Sequence, residues 1–217
     1  MEWKGLRALW GAHDNLAADS RIAPVNDLPW IPPARIDELL QRGEAVWRAF
    51  EARTGPRHHL FVPCDQRAAY EALRRLRDSA STFLEFGSAA GVVTILADWL
   101  GFEACGIEIE PWLVEQSTAL ARQLRSGATF VEGTFVPPDY QDDVQLLTPD
   151  RLTPTGGADA YEELGMSLRD FDVVFAYPWP GEEEWLFELM RRHARPRARL
   201  LTYDANDGCT VTEVREL

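Results

Sequence analysis

Phe83-Leu84-Glu85-Phe86-Gly87-Ser88-Ala89-Ala90-Gly91 is the stretch that decides how this chain folds. A short apolar run, Thr82 to Phe86, breaks into a turn of small residues, and Val92 to Leu100 resumes as a helical segment stopped by Gly101. Glycine in such a turn lets a ligand approach the backbone closely. The helix that follows adds N–H groups with no partner inside the helix.

Downstream the same rhythm repeats. Ala104 to Ile109 reads as a second strand, and Pro111, suited to a first helical turn, opens a helix through Leu124 that Gly127 closes. Thr129 to Val131 is a third strand and Phe171 to Ala176 a fourth, whose continuous Val173-Val174-Phe175 run suits a strand buried on both faces. Glu182 to Ala194 is a helix with acids in its first turn and Arg191, Arg192 and His193 in its last, as the helix dipole favours. Arg199 to Tyr203 is a fifth strand and Thr210 to Val214 a sixth. Alternating strands and helices with right-handed crossovers make an α/β, Rossmann-like, doubly wound and mostly parallel sheet. Residues 137–170, rich in Pro, Gly and Asp, interrupt the rhythm and read as an insertion or long loop.

Upstream the chain reads as helical. Lys4 to Ala12 is a short helix, and Pro24, Pro29, Pro32 and Pro33 then impose turns. From Ala34 the set Ile36, Leu39, Leu40, Val46, Trp47 and Phe50 recurs at helical spacing until Gly55-Pro56. Leu60 to Val62 is a short extended piece, and Asp65 is a natural N-cap for a helix through Tyr70, Leu73 and Leu76. The division expected is a helical lobe over residues 1–60 and an α/β domain over 61–217.

Composition narrows the function. The chain has 217 residues and a formal net charge of -13, a field that repels phosphate backbones and argues against nucleic acid as a partner. No run approaches the roughly 18–20 apolar residues of a membrane span. Met1 to Trp10 carries Glu2, Lys4 and Arg7 and has no signal-peptide core, so the expected location is the cytoplasm. Cys64, Cys105 and Cys209 are odd in number and form no Cys-x-x-Cys pair, which points away from a disulfide framework or zinc site. His58-His59 reads as surface or packing, so no metal is expected.

Two nucleotide motifs fail at the glycine turn. A dinucleotide fingerprint starting at Gly87 needs glycine where Ala89 and Val92 stand, and no Gly-Lys-Ser/Thr exists for a P-loop. The same residues do resemble the first motif of class I S-adenosylmethionine-dependent methyltransferases: Glu85, Gly87 and Gly91 fit, with Ala89 where a middle glycine is usual. Gly106-Ile107-Glu108 resembles the end of that family's second strand, where an acid binds both ribose hydroxyls. A carboxylate suits this because it accepts two hydrogen bonds at once. The resemblance implies S-adenosylmethionine as cofactor, with Glu85, Gly87, Ser88, Gly91, Glu108, Ile109, Gly133 and Thr134 around it. Thr134 stands where the family often has Asp, and Glu132 is the alternative there.

Phe61-Val62-Pro63 and the run Glu108-Ile109-Glu110-Pro111-Trp112-Leu113-Val114 are also similar to small lysine methyltransferases acting on adenine-nucleotide translocase and the ATP synthase c-subunit. Tyr177-Pro178-Trp179-Pro180 partly matches the Asp/Asn-Pro-Pro-aromatic motif of amino-group methyltransferases. It forms a rigid aromatic wall able to hold a cationic amine. The resemblance therefore implies N-methylation of an amine on a protein or small molecule, with Tyr177 and Glu182 as proton acceptors. Acids dominate from Glu132 to Glu188, which favours a basic substrate. The competing readings are an inactive methyltransferase-like binding module, favoured by the imperfect later motifs, and a nucleotide-cofactor oxidoreductase, disfavoured by the failed glycine pattern.

Overall fold

The computed structural model describes residues 29–54, 64–148 and 151–217. The elements in order are α1 (Pro33–Thr54), α2 (Gln66–Leu76), β1 (Thr82–Phe86), α3 (Val92–Trp99), β2 (Glu103–Glu108), α4 (Pro111–Gln123), β3 (Thr129–Glu132), α5 (Gln141–Leu147), α6 (Ala160–Leu164), β4 (Val173–Ala176), α7 (Glu183–His193), β5 (Arg199–Asp204) and β6 (Gly208–Glu213). Short 3-10 turns link several of them. The expected Lys4 to Ala12 helix, the Leu60 to Val62 piece and His58-His59 lie outside the described residues.

The six strands form one sheet in the order β3-β2-β1-β4-β5-β6. β1 to β5 pair in parallel and β6 runs antiparallel to β5. The order reverses at β1, so β1 and β4 flank the switch point of a doubly wound sheet, outside whose carboxyl ends ligands bind. Along the strands, side chains alternate between two cores. Phe83, Ala104, Phe130, Val173, Phe175 and Leu201 pack with α1 to α4. Leu84, Cys105, Ile107, Val131, Val174 and Leu200 pack with α5 to α7. Both faces are covered, which is why the central strands read as continuous apolar runs.

Local signals explain the boundaries. Asp65 accepts hydrogen bonds from the N–H groups of Arg67 and Ala68, at 2.9 and 3.1 Å, and so starts α2. Pro111 sits in the first turn of α4. Gly91 caps α3 at φ +76°, and a Cβ there would lie 2.5 Å from the Phe130 ring and 2.8 Å from Ser117. Only glycine permits both that backbone and that approach of α3 to β3 and α4.

Two segments gain detail. Residues 137–170, expected as an insertion or long loop, contain α5 and α6, held by buried Tyr140, Val144, Tyr161 and Leu164. The described part of the N-terminal segment joins the main core, since Ile36 and Leu39 of α1 are buried in the cluster that holds α3 and β1.

Candidate functional site

The carboxyl ends of β1, β2, β4 and β5 open into a cavity of about 820 Å³, large enough for a cofactor and a substrate together. Of the residues picked out from sequence, Glu85, Gly87, Ser88, Glu108, Ile109, Gly133, Thr134, Tyr177 and Glu182 all line it. Gly91 does not; its glycine is accounted for by packing against Phe130 and Ser117. Glu132 is exposed at the end of β3 and is not among the wall residues.

Glu85 and Glu108 are the buried acids on either side of the turn, at 5% and 7% exposure. Glu85 Oε2 accepts hydrogen bonds from the Thr94 N–H, at 2.9 Å, and from its hydroxyl. Those bonds favour the ionised form, but burial outweighs them and pushes the carboxyl up to about 8. Glu108 Oε2 accepts from the Ala89 N–H at 2.8 Å, and Oε1 from those of Ile109 and Glu110 at 2.8 and 3.1 Å. It therefore ties the turn after β1 to the turn after β2. Burial again raises its carboxyl, opposed by the three N–H bonds.

Between these acids the turn is open. A Cβ at Gly87, where φ is +69°, would meet nothing within 4 Å. The Ser88 hydroxyl is buried in the wall and has no hydrogen-bond partner. A buried polar atom of this kind is uncommon and calls for a partner. Thr134 is already engaged: its Oγ1 accepts from the Val136 N–H at 3.1 Å, and its N–H donates to the Ala158 carbonyl at 3.0 Å. A Cβ on Gly133 would lie 2.5 Å from that same carbonyl, so these two residues seat the inserted segment against the site.

Glu182 precedes α7 and is 3% exposed. Its Oε1 accepts from the N–H groups of Leu152 and Thr153, at 2.6 and 3.2 Å, and pins that segment as part of the cavity wall. Its Oε2 has no partner. Tyr177 lies at the end of β4 with its ring perpendicular to that of Tyr203, centroids 5.0 Å apart. Burial first, then Tyr203, Asp204 and Cys64, raise the Tyr177 phenol, so it keeps its proton at neutral pH.

Sequence reasoning missed several wall residues. Phe135 stacks between Phe86, at 4.3 Å, and Trp185, at 6.2 Å, forming an aromatic rib. Trp47 and Phe50 of α1 cover the cavity beside Leu113. Tyr203 and Asp204 close it at the end of β5. Phe135 follows Thr134 directly and was within reach of a motif reading; the α1 and β5 residues meet the site only through the fold. Among the described wall residues, Glu44, Glu85, Glu108, Glu110, Glu182, Glu183 and Asp204 are acidic and none is Lys, Arg or His. The described residues hold no cluster able to bind a metal ion and no helix long and apolar enough to cross a membrane.

No protein-family model and no curated protein sequence matches the chain. Among solved structures it is similar to an RNA methyltransferase from Salinibacter ruber in complex with S-adenosyl-L-homocysteine, at 19% identity over 66% of this chain and 78% of that one, TM-score 0.48. It is also similar to an O-methyltransferase from Bacillus cereus in complex with SAH, at 15% identity over 82% and 69% of the two chains, TM-score 0.47. Likeness at this level concerns the layout of the fold and is silent on substrate.

Proposed function

We propose that the chain is a class I S-adenosylmethionine-dependent methyltransferase that methylates a basic nitrogen on a protein or small molecule. The observation that carries this reading is the pair of buried acids, Glu85 and Glu108, at the carboxyl ends of adjacent parallel strands, with the open Gly87 turn between them. Glu108 would accept the ribose hydroxyls with the lone-pair capacity that its backbone bonds leave free. Glu85 and Ser88 would lie at the amino acid end, and Ile109 with Phe135 would offer apolar surface to the base. Bound there, the cofactor supplies a methyl group already activated by its sulfonium.

What remains for the protein is positioning, desolvation and a place for a proton. An amine attacks only as the neutral base. We assign the role of proton acceptor to Glu182, whose Oε2 is buried without a partner and which belongs to a wall with no cationic side chain among its described residues. The Tyr177 hydroxyl supports this as a hydrogen-bonding group. The acidic wall opposes a phosphate-bearing acceptor and favours a cationic one. The three cysteines are unpaired, in keeping with a reducing cytoplasm as the place of action.

Transfer of label from methyl-tritiated S-adenosylmethionine tests the reading. Spermidine and a lysine-rich peptide should be labelled in preference to a catechol and an RNA oligonucleotide. Equal labelling of neutral and cationic acceptors would refute amine specificity. Cofactor binding with no transfer to any acceptor would favour the inactive binding module.

A further inference from the structure

β4 and β5 end side by side, across β1 from Glu108. Ala176 pairs with Thr202 in the parallel register, so the next residues, Tyr177 and Tyr203, emerge together from neighbouring strand ends. Their rings meet at 89° with centroids 5.0 Å apart. One ring stands on the face of the other, and the corner between them presents two π faces. Both rings are half-buried and line the cavity. Beside them, Asp204 accepts hydrogen bonds from the N–H groups of Asn206 and Asp207, at 2.7 and 3.1 Å, which hold its carboxyl below the usual range and keep it ionised. Glu182 belongs to the wall of the same cavity, with its Oε2 buried and without a donor, and no cationic side chain stands among the described wall residues.

We infer that the corner of Tyr177 and Tyr203 is the methyl-acceptor subsite, and that it binds alkylammonium groups, methylated ones included. This rests on the methyl-transfer reading above. In each cycle the neutral amine's lone pair forms an N–CH3 bond as the sulfonium's S–CH3 bond breaks. The cofactor leaves as the neutral sulfide and the product as an ammonium with one more methyl. A site built on carboxylates alone loses its hydrogen bonds as N–H donors are replaced by methyl groups. Aromatic faces attract the charge itself and keep their grip on a quaternary ammonium. The corner therefore retains a partly methylated ammonium, and each further round begins when its remaining N–H proton passes to a carboxylate of the acidic wall and restores the lone pair.

Choline and its neutral isostere 3,3-dimethylbutan-1-ol probe the corner on the full chain by calorimetry, with and without saturating S-adenosylhomocysteine. Choline should bind at least about tenfold more tightly than the isostere. Tyr203→Leu should weaken choline binding by about tenfold, while Tyr203→Phe, which keeps the ring, should stay within about twofold. The affinity for S-adenosylhomocysteine should be the same in all three proteins, which also shows that the variants are folded. Equal binding of choline and the isostere, or indifference to Tyr203→Leu while S-adenosylhomocysteine still binds, overturns the corner alone. Failure of wild type to bind S-adenosylhomocysteine, with choline selectivity retained, overturns the methyl-transfer reading and with it the acceptor role.

Discussion

Glu108→Gln tests the idea that one carboxylate both fastens the site and receives the ligand. The substitution keeps the volume but replaces one acceptor oxygen with an NH2 donor. Either the Ala89 N–H or the N–H pair of Ile109 and Glu110 then faces a donor at about hydrogen-bond distance. A hydrogen bond to a charged group contributes roughly 1.5–3 kcal/mol, and a stranded buried donor costs about 1–3 kcal/mol. Against this stands relief of the burial penalty that raises the Glu108 carboxyl. The net expectation is a loss of roughly 2–3 kcal/mol. At about 2–4 °C per kcal/mol for a domain of this size, Tm should fall by roughly 5–10 °C in circular-dichroism melts. Calorimetry well below Tm should then show affinity for S-adenosylhomocysteine reduced by at least about tenfold, as the loss of one charged hydrogen bond requires. A variant that melts within about 1 °C of wild type, on the same scale, and binds as tightly would refute the reasoning.

Glu182 has separable roles: Glu182→Gln keeps an acceptor for Leu152 and Thr153, and should lower turnover by about 100-fold with cofactor affinity nearly unchanged, whereas Glu182→Ala should also weaken cofactor binding by releasing the wall segment. Equal cofactor affinity in both variants would contradict the pinning role. Glu85 binds its proton in the folded state between its ordinary 4.5 and about 8, so its contribution to stability falls as pH rises through that window, and the Tm of wild type should drop relative to Glu85→Gln from about pH 5 to pH 8. Because a cationic ligand favours the ionised form, S-adenosylmethionine binding at pH 7 should release protons, measurable as a buffer-dependent binding enthalpy; a buffer-independent enthalpy would contradict this. Gly91→Ala should cost at least about 2 kcal/mol in urea unfolding, since it combines positive φ with a clash against Phe130; a loss under about 0.5 kcal/mol would show that the turn relaxes.

The sheet was legible because its signals are local. Val173-Val174-Phe175 is apolar on both faces, Asp65 caps within its own chain segment, and Pro111 opens a helix where a first turn tolerates it. The insertion hid its helices for the opposite reason. α5 and α6 have 7 and 5 residues, too short to be stable by propensity, and they exist because Tyr140, Val144, Tyr161 and Leu164 find a buried surface supplied by distant strands.

The side of the site proposed for the cofactor was legible in part. Glu85 and Glu108 sit beside one glycine turn, and their spacing survives folding. That Glu108 spends bonds on Ala89, and that Gly91 serves packing rather than the cavity, depend on how two turns and a ring from β3 meet. The side proposed for the acceptor was least legible. Tyr177 and Tyr203 are 26 positions apart and become neighbours only through the register of β4 and β5.

Calorimetric titration of the full chain with S-adenosylmethionine, S-adenosylhomocysteine and NAD tests the central claim most directly. The account predicts that both sulfur compounds bind with micromolar dissociation constants, at about -8 kcal/mol, and that NAD does not bind, since its pyrophosphate would meet an acidic wall and an incomplete glycine fingerprint. Failure of both sulfur compounds to bind, or preference for NAD over them, would contradict it.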